Sequence, residues 1–425
     1  MDKKEINITR KLQVYPVGDK DQVNEIYEKI RNWQYITRKA ANYISSHLYL
    51  MDQIKEMVYL KEDIKLKLAD YQKDEEGILN TSYLNTTYRV LSKKYKGIIP
   101  MSSIATLSKE LSSIHRKEKG EILKGERSVR SYRNDIPIKI PKQMIKSFDI
   151  NKDGEYLIEL ADKVKLKIIF GRDKSNNQVI VDRVLEGEYK LKDSTMKWDK
   201  NKKKIFFNLV VGIPKNKRNL DENVVVGMNL GMNTPLYAAT NDGIGSKIGD
   251  KEEFLYKRRQ IDEAKRRLAR AIKYNNGGKG RNKKLKALDR FRKKEKNFVT
   301  TKNHQYSREL INFALKNNAA TINVEKFEGI ARGEADWEKF ILRNWSYYQL
   351  QSFIEYKAQK EGIKVVKKQP AYQSQKCSKC GHIEEENRLT REEFHCVECG
   401  YNVNADYNHA VNISRLKENE EFRFN

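Results

Sequence analysis

Cysteine is nearly missing from this chain: none occurs before Cys377 or after Cys399, and all four lie within that stretch. That excludes a disulfide framework spread through the fold, and a reducing cytoplasm is the expected home. Long apolar runs are missing too. No membrane span is expected, and the start, MDKKEINITRK, is charged rather than signal-like. Acidic residues are scarce against basic ones, 58 Asp and Glu facing 85 Lys and Arg, a formal charge of +27. Such an excess repels itself unless a polyanion neutralises it. Nucleic acid is the expected partner, because each neutralised phosphate releases counterions. Lysine-biased codons account for some of the lysine but not for the clustering of basic residues. At 425 residues the chain has room for two or three domains.

Hydrophobic periodicity changes along the chain. Ile6, Ile8, Leu12 and Val14 alternate with polar neighbours and predict a short strand before Pro16. Ile26, Ile30, Trp33, Ala40, Ile44 and Leu48 recur on one helical face, and Ile104, Leu107, Leu111 and Ile114 do so after Pro100. The stretch from about 24 to 120 therefore reads as a helical insertion. Period two returns near Ile136, and Tyr156–Leu160, Val164–Phe170, Val179–Leu185 and Ile205–Val211 all read as strands. With the first strand they are expected to form one β-barrel. A third region alternates buried strands with helices: Val224–Leu230, a hairpin partner Leu236–Ala239, Thr321–Val324, a helix over Tyr347–Glu361, and Ile363–Lys367. Such alternation implies an α/β layer.

Lys257–Lys296 reads as two basic helices joined by a Gly-rich turn. Basic residues there outnumber acids several-fold, so neutralisation within the helices is limited and contact with a nucleic-acid backbone is favoured over a merely solvated face. Lys257, Arg258, Arg259, Arg266, Arg267, Arg270, Lys283, Lys284 and Arg292 are the candidate contacts.

Cys377-Ser-Lys-Cys380 and Cys396-Val-Glu-Cys399 are two C-x-x-C knuckles fifteen residues apart. Each turns two thiolates toward one point, and two knuckles complete a tetrahedral four-sulfur zinc site. Gly381 and Gly400 follow the second cysteine of each knuckle, where a tight turn needs freedom of φ. Four cysteines saturate the ion, leaving His382 and His395 outside it, so the site is structural. Lys376, Lys379 and Arg388 are further candidate phosphate contacts.

Three strand-end or helix-start motifs carry candidate acidic positions: Gly227-Met-Asn229-Leu-Gly231, Asn323-Val-Glu325-Lys, and Asn404-Ala-Asp406-Tyr-Asn408 directly after the ribbon. Carboxylates converging from separate elements hold two divalent ions roughly 4 Å apart for in-line phosphodiester hydrolysis, and Mg²⁺ suits such oxygen donors.

These segments, with TTKNHQYSREL, RNWSYYQLQ, QPAYQSQKCSKCGH and NADYNHAVNI, resemble the miniature type V-F CRISPR effectors and their transposon-encoded TnpB relatives, most strongly from Val224 to Ile413. The resemblance implies an α+β multidomain fold: a wedge β-barrel (1–24 and 125–220), a helical recognition insertion (25–124), an RNase H-like RuvC α/β domain (221–372 and 404–425) and an inserted zinc ribbon (373–403). It implies a prokaryotic cytoplasmic protein that binds a guide RNA and target DNA, reading sequence by base pairing. Type V-F members act as two copies on one guide RNA and TnpB acts alone, so a homodimer and a monomer both stay open.

The chain departs from that family at one place. Asn229 stands where the first RuvC motif has Asp, while Glu325 and Asp406 match. An amide offers one neutral oxygen and an NH₂ that repels cations. The expectation is a nuclease-dead, RNA-guided DNA-binding protein with Mg²⁺ weak or absent, either a natural repressor of transcription or a deliberately inactivated nuclease. The alternatives are an active Mg²⁺-dependent endonuclease that tolerates Asn229, and a DNA-binding transposition factor needing no guide.

Overall fold

The computed structural model describes residues 5–59, 82–171, 176–216, 218–230, 234–274, 277–325, 346–368, 372–388, 390 and 392–416. The chain divides into two compact units, Met1–Pro214 and Lys215–Asn425. Among the described residues no helix is long and apolar enough to cross a membrane.

In the first unit the opening alternation produces strand β1 (Glu5–Pro16), with Ile6, Leu12 and Val14 buried. Helix α1 (Lys20–Tyr59) follows, and all six apolar positions named above for its face are buried. Two more helices pack with it, α2 (Tyr83–Tyr95), capped by the Ser82 side chain, and α3 (Met101–Leu123), which begins behind Pro100. A polar cluster ties the three together. Asp52, 1 % exposed, accepts from Tyr83 Oη at 2.7 Å and pairs with His115 Nε2 at 2.6 Å and Lys119 Nζ at 3.3 Å.

The rest of this unit is β2 (Ile138–Ile140), β3 (Ile145–Ile150), β4 (Tyr156–Leu160), β5 (Val164–Ile169), α4 (Asn177–Leu185), β6 (Lys190–Leu191), β7 (Ser194–Asp199) and β8 (Lys204–Pro214). These strands and β1 form an antiparallel sheet ordered β2-β7-β8-β1-β5-β4-β3, with β6 also on β8. The expected barrel is a curled half-barrel: among the described residues no ladder joins β2 to β3. The strand expected at Val179–Leu185 is wrong, because that stretch is α4. Ile180 and Val181 are buried and Val184 and Leu185 pack behind them, a helical spacing that the β-branched composition obscured.

The second unit is built on β9 (Asp221–Asn229), β10 (Leu236–Thr240), β11 (Gly245–Ile248), α5 (Lys251–Lys273), α6 (Gly278–Lys316), β12 (Ala319–Glu325), α7 (Tyr347–Glu361), β13 (Lys364–Lys368), β14 (Glu393–His395), β15 (Asn402–Asn404) and α8 (Ala405–Arg415). Its sheet runs β11-β10-β9-β12-β13, with β9, β12 and β13 parallel and the first two antiparallel. Val226, Met228, Ile322 and Val324 face a core completed by Leu310 and Ile311 of α6 and Leu350 and Ile354 of α7. The alternate residues face α8. Two faces covered by helices explain why β9 and β12 read as near-continuous apolar runs.

Candidate carboxylate site and metal centre

Strands β9 and β12 end side by side. Val324 pairs with Met228, which carries Glu325 to the level of Asn229 on the α8 face. Helix α8 lies directly on that face. Gly227 leaves it no room for a side chain: a Cβ there would stand 2.0 Å from the Ala410 carbonyl oxygen and 2.4 Å from the Ser414 nitrogen. Asn323 Nδ2 donates to the Ile413 carbonyl at 2.9 Å and secures the far end of the helix. The near end is capped by Asn404, whose side chain accepts from Tyr407 N at 3.1 Å. Asp406 therefore arrives in the first turn, 5 % exposed, and Asn229 Nδ2 donates to its Oδ1 at 2.9 Å. Asn229 and Asp406 are thus in contact, with Glu325 on the adjoining strand end.

Burial pushes the carboxyls of Glu325 and Asp406 above their usual range. At Asp406 the Arg388 charge, the Asn229 amide and the Thr234 backbone oppose that push.

The donor set does not fit a pair of Mg²⁺ ions. Two carboxylates and one neutral amide leave it a charge short, and the amide turns its N–H toward Asp406, where a cation would need an oxygen. Among the described residues, neighbouring acids do not make up the difference. Asp221 and Glu222 open β9, at the opposite end from Asn229. Asp242 sits in the β10–β11 turn, and Thr240 pairing with Val226 puts that turn beyond the middle of β9, away from Asn229.

The four-sulfur site does fit its metal. The ligand atoms of Cys377, Cys380, Cys396 and Cys399 lie within 4.8 Å of one another, with Sγ···Sγ separations of 3.8 Å (Cys377 and Cys399) and 3.5 Å (Cys380 and Cys396). Tetrahedral zinc with sulfur at about 2.3 Å needs sulfurs about 3.8 Å apart, and a disulfide would need about 2.05 Å. The two knuckles share one backbone pattern. Gly381 N donates to Cys377 O and Gly400 N to Cys396 O, each at 2.9 Å, with both glycines at positive φ, +85° and +65°. His382 pairs with Glu384 at 2.7 Å.

The ribbon is fastened to the carboxylate helix by two asparagines of α8. Asn408 accepts from Ser378 N at 2.9 Å and donates to Lys376 O at 2.8 Å, while Asn412 donates to Gln373 O and Lys376 O at 2.9 and 2.7 Å. The available signal was a pair of Asn residues four apart in a helix that also carries Ala410 and Val411. Such a pair lies on one face, and a buried amide must find partners.

In the basic hairpin α5–α6 the candidate contacts separate. Arg259, Arg266, Arg267, Arg270, Lys283 and Arg292 are exposed, and Lys257 is half-buried. Lys284 is half-buried and donates to Ala271 O at 3.3 Å. Arg258 corrects the expectation: it is 3 % exposed and paired with Glu295 at 2.5 Å, with Lys265 on the other oxygen at 2.6 Å. It holds the two helices together instead of lying on their surface.

A family model described as "Cas12f1-like, TNB domain" matches residues 347–413, from α7 through the ribbon into α8. The chain is 32 % identical over 402 residues to the CRISPR-associated endodeoxyribonuclease Cas12f1 of Sulfoacidibacillus thermotolerans, covering 91 % of this chain and 92 % of that one. It is also 32 % identical over 293 residues to the Cas12f1 of Syntrophomonas palmitatica, 61 % and 57 % of the two chains. A cryo-EM structure of a Cas12f1–sgRNA–target DNA complex shares the fold, with a TM-score of 0.69 at 19 % identity over 97 % of this chain and 99 % of that one. Fold, ribbon and sequence together define a miniature effector of the type V-F, TnpB-like class. The chain belongs to the Cas12f1 family.

Proposed function

We propose that this chain is an RNA-guided double-stranded DNA-binding effector that holds its target without cutting it. The relatives are named endodeoxyribonucleases, and a solved structure sharing the fold is a complex with guide RNA and target DNA. The formal charge of +27 and the exposed cations of the α5–α6 hairpin suit a polyanionic load. On this reading 1–24 and 125–220 form the wedge, 25–124 the recognition domain, 221–372 and 404–425 the RuvC-like domain, and 373–403 the target nucleic-acid-binding ribbon. Base pairing with the guide selects the sequence, and the protein contacts backbone and shape.

One observation carries the non-cutting half: the Asn229 amide donates to Asp406 at 2.9 Å, in a site otherwise built from the buried Asp406 and the half-buried Glu325. Removing a full negative charge beside roughly +4 of metal costs several kcal/mol of transition-state stabilisation, since one lost donor already costs about 3 kcal/mol. That corresponds to a rate loss of about a thousandfold or more.

The test is incubation of the guide-loaded protein with matching duplex DNA in Mg²⁺. Retention of the duplex with both strands intact is expected, and Asn229→Asp is expected to gain metal-dependent cutting of about a thousandfold or more. Guide-dependent nicking by the unaltered protein would overturn the non-cutting half. Failure to retain any RNA would overturn the guided reading.

A further inference from the structure

The first unit contains a cleft of about 1130 Å³ between α1 and the end of β7 with the turn that follows it. Its walls combine flat aromatic faces and cations with two aspartates, Asp199 and Asp135, the latter paired with Lys197 at 3.0 Å. Tyr35 stands 48 % exposed on α1, although the same helix buries Trp33 and Ile30. Across the cleft the half-buried Trp198 meets Tyr27 edge-on, ring centres 5.5 Å apart. Each ring has a guanidinium beside it: Arg38 lies 5.6 Å from the Tyr35 ring centre, and Arg31 lies 5.7 Å from that of Trp198. Arg38 lines the cleft, and its Nε is buried with no hydrogen-bond partner within the protein.

The cleft is also held in shape. Gln34, 6 % exposed, accepts from Trp198 N at 2.7 Å and donates to Asn134 O at 2.8 Å. One buried amide thus locks the helix, the strand end and the segment before β2. A wall fixed beforehand need not be ordered when a ligand arrives.

We infer that this cleft binds an unpaired nucleotide of a nucleic-acid strand, its base stacked on Tyr35 or Trp198 and its phosphate held by Arg31 and Arg38. An apolar ligand would leave the cations unused. An acidic protein segment would use the cations and leave the ring faces bare. Base stacking on an aromatic side chain is worth about 1–3 kcal/mol per base, and a guanidinium beside the ring adds a cation–π contribution. The strand comes either from the guide RNA or from the DNA, which share this chemistry. The inference rests on the nucleic-acid-binding reading above.

The full chain separates the two sources in two binding arms, guide RNA alone and duplex DNA presented to the RNA-loaded protein. Tyr35→Ala is expected to weaken one arm about 5- to 100-fold, and Tyr35→Phe to stay within about twofold of the unaltered chain because the ring face is kept. Arg38→Gln is expected to weaken the same arm and lower its salt slope by about one. An unchanged thermal transition in each variant shows that the fold has not failed. A photoreactive base in the weakened strand should crosslink to the cleft. The inference is overturned if Tyr35→Ala and Arg38→Gln both stay within twofold in both arms, or if Tyr35→Phe loses as much as Tyr35→Ala. An unaltered chain that binds neither nucleic acid removes the proposed function itself, and the cleft with it, before any variant is compared.

Discussion

Asn229 and Asp406, 177 residues apart in the chain, share a 2.9 Å hydrogen bond between two side chains that are each at most 5 % exposed. In the metal-free fold the amide supplies the positive edge that a cation would otherwise supply. Asn229→Asp sets a second carboxylate against Asp406 beside Glu325, and two like charges about 4 Å apart repel by roughly 4 kcal/mol at a near-surface dielectric. The variant should melt well below the unaltered protein in EDTA and recover in millimolar Mg²⁺, whereas the unaltered protein should barely respond. Equal melting of the two proteins in EDTA would contradict this account.

Zinc content offers a separate check. Elemental analysis should give one zinc per chain, and Cys396→Ser should lose it. The consequence should extend beyond the ribbon. Asn408 and Asn412 bind carbonyls at the root of the first knuckle, so zinc removal should raise hydrogen exchange in α8 as well. A loss of protection confined to the ribbon would separate the two elements.

Gly227→Ala tests how closely α8 lies on the sheet. Its Cβ would meet backbone atoms at 2.0 and 2.4 Å, and neither can rotate away. A destabilisation of about 3 kcal/mol or more is expected, at the upper end of overpacking costs. A variant with unchanged melting would mean that the helix yields easily.

Lys357 gives a pH signature in the second unit. Its ammonium is 4 % exposed, donates to His304 O at 2.6 Å and to Ser307 Oγ at 2.7 Å, and is pushed by burial, with help from Arg308, down to about 8. Below that pH both folded and unfolded chains carry the charge, and the fold bears its full desolvation cost. Between about 8 and the ordinary 10.5 the folded chain releases the proton and the unfolded chain keeps it, so stability from this group rises with pH. Chemical denaturation should show the unaltered protein gaining up to about 3 kcal/mol over Lys357→Met across that window. A pH-independent difference would rule this out.

Asp52 has the opposite dependence in the first unit. Burial pushes its carboxyl up, but hydrogen bonds from His115 and Tyr83 and the Lys119 charge outweigh it, leaving the group below its ordinary 3.8. A lowered carboxyl stabilises fully above the unfolded value and loses that contribution as pH falls through the folded one. Asp52→Ala should cost about 3–5 kcal/mol at pH 7, as expected for breaking a buried pair. The gap to the unaltered protein should narrow as pH falls below 3.8. A constant gap down to pH 2 would exclude the linkage.

Elements with one clear period were legible in the sequence. The α1 face, the buried run of β9 and the bounds of α7 follow from residues whose burial is decided locally, by helix or strand spacing. The α4 stretch was not, because Val179–Leu185 combines strand-favouring side chains with helical spacing and only the packing of Ile180 and Val181 decides between them. Arg258 read as one more surface cation for a similar reason. Its partner Glu295 lies on the other helix, and nothing local announces that pairing. In the candidate site the positions 229, 325 and 406 were visible as strand-end and helix-start motifs. What joins them was not: Gly227 under α8, Asn323 on its last turn, and the Asn408–Asn412 pair are long-range contacts.

The excursion from Lys368 to Ala405 sets the order in which this unit can assemble. The chain quits the sheet at the end of β13, makes both cysteine knuckles, and must return Asp406 to the end of β9, two strands away. A flexible detour of that length carries a closure entropy, and tying it at four sulfurs divides it into short loops before the return is made. Metal loading should therefore come early in folding, with the docking of α8 as a late event. A chain starved of zinc during synthesis would still hold its parallel strands, but the last helix would have no fixed anchor from which to reach them.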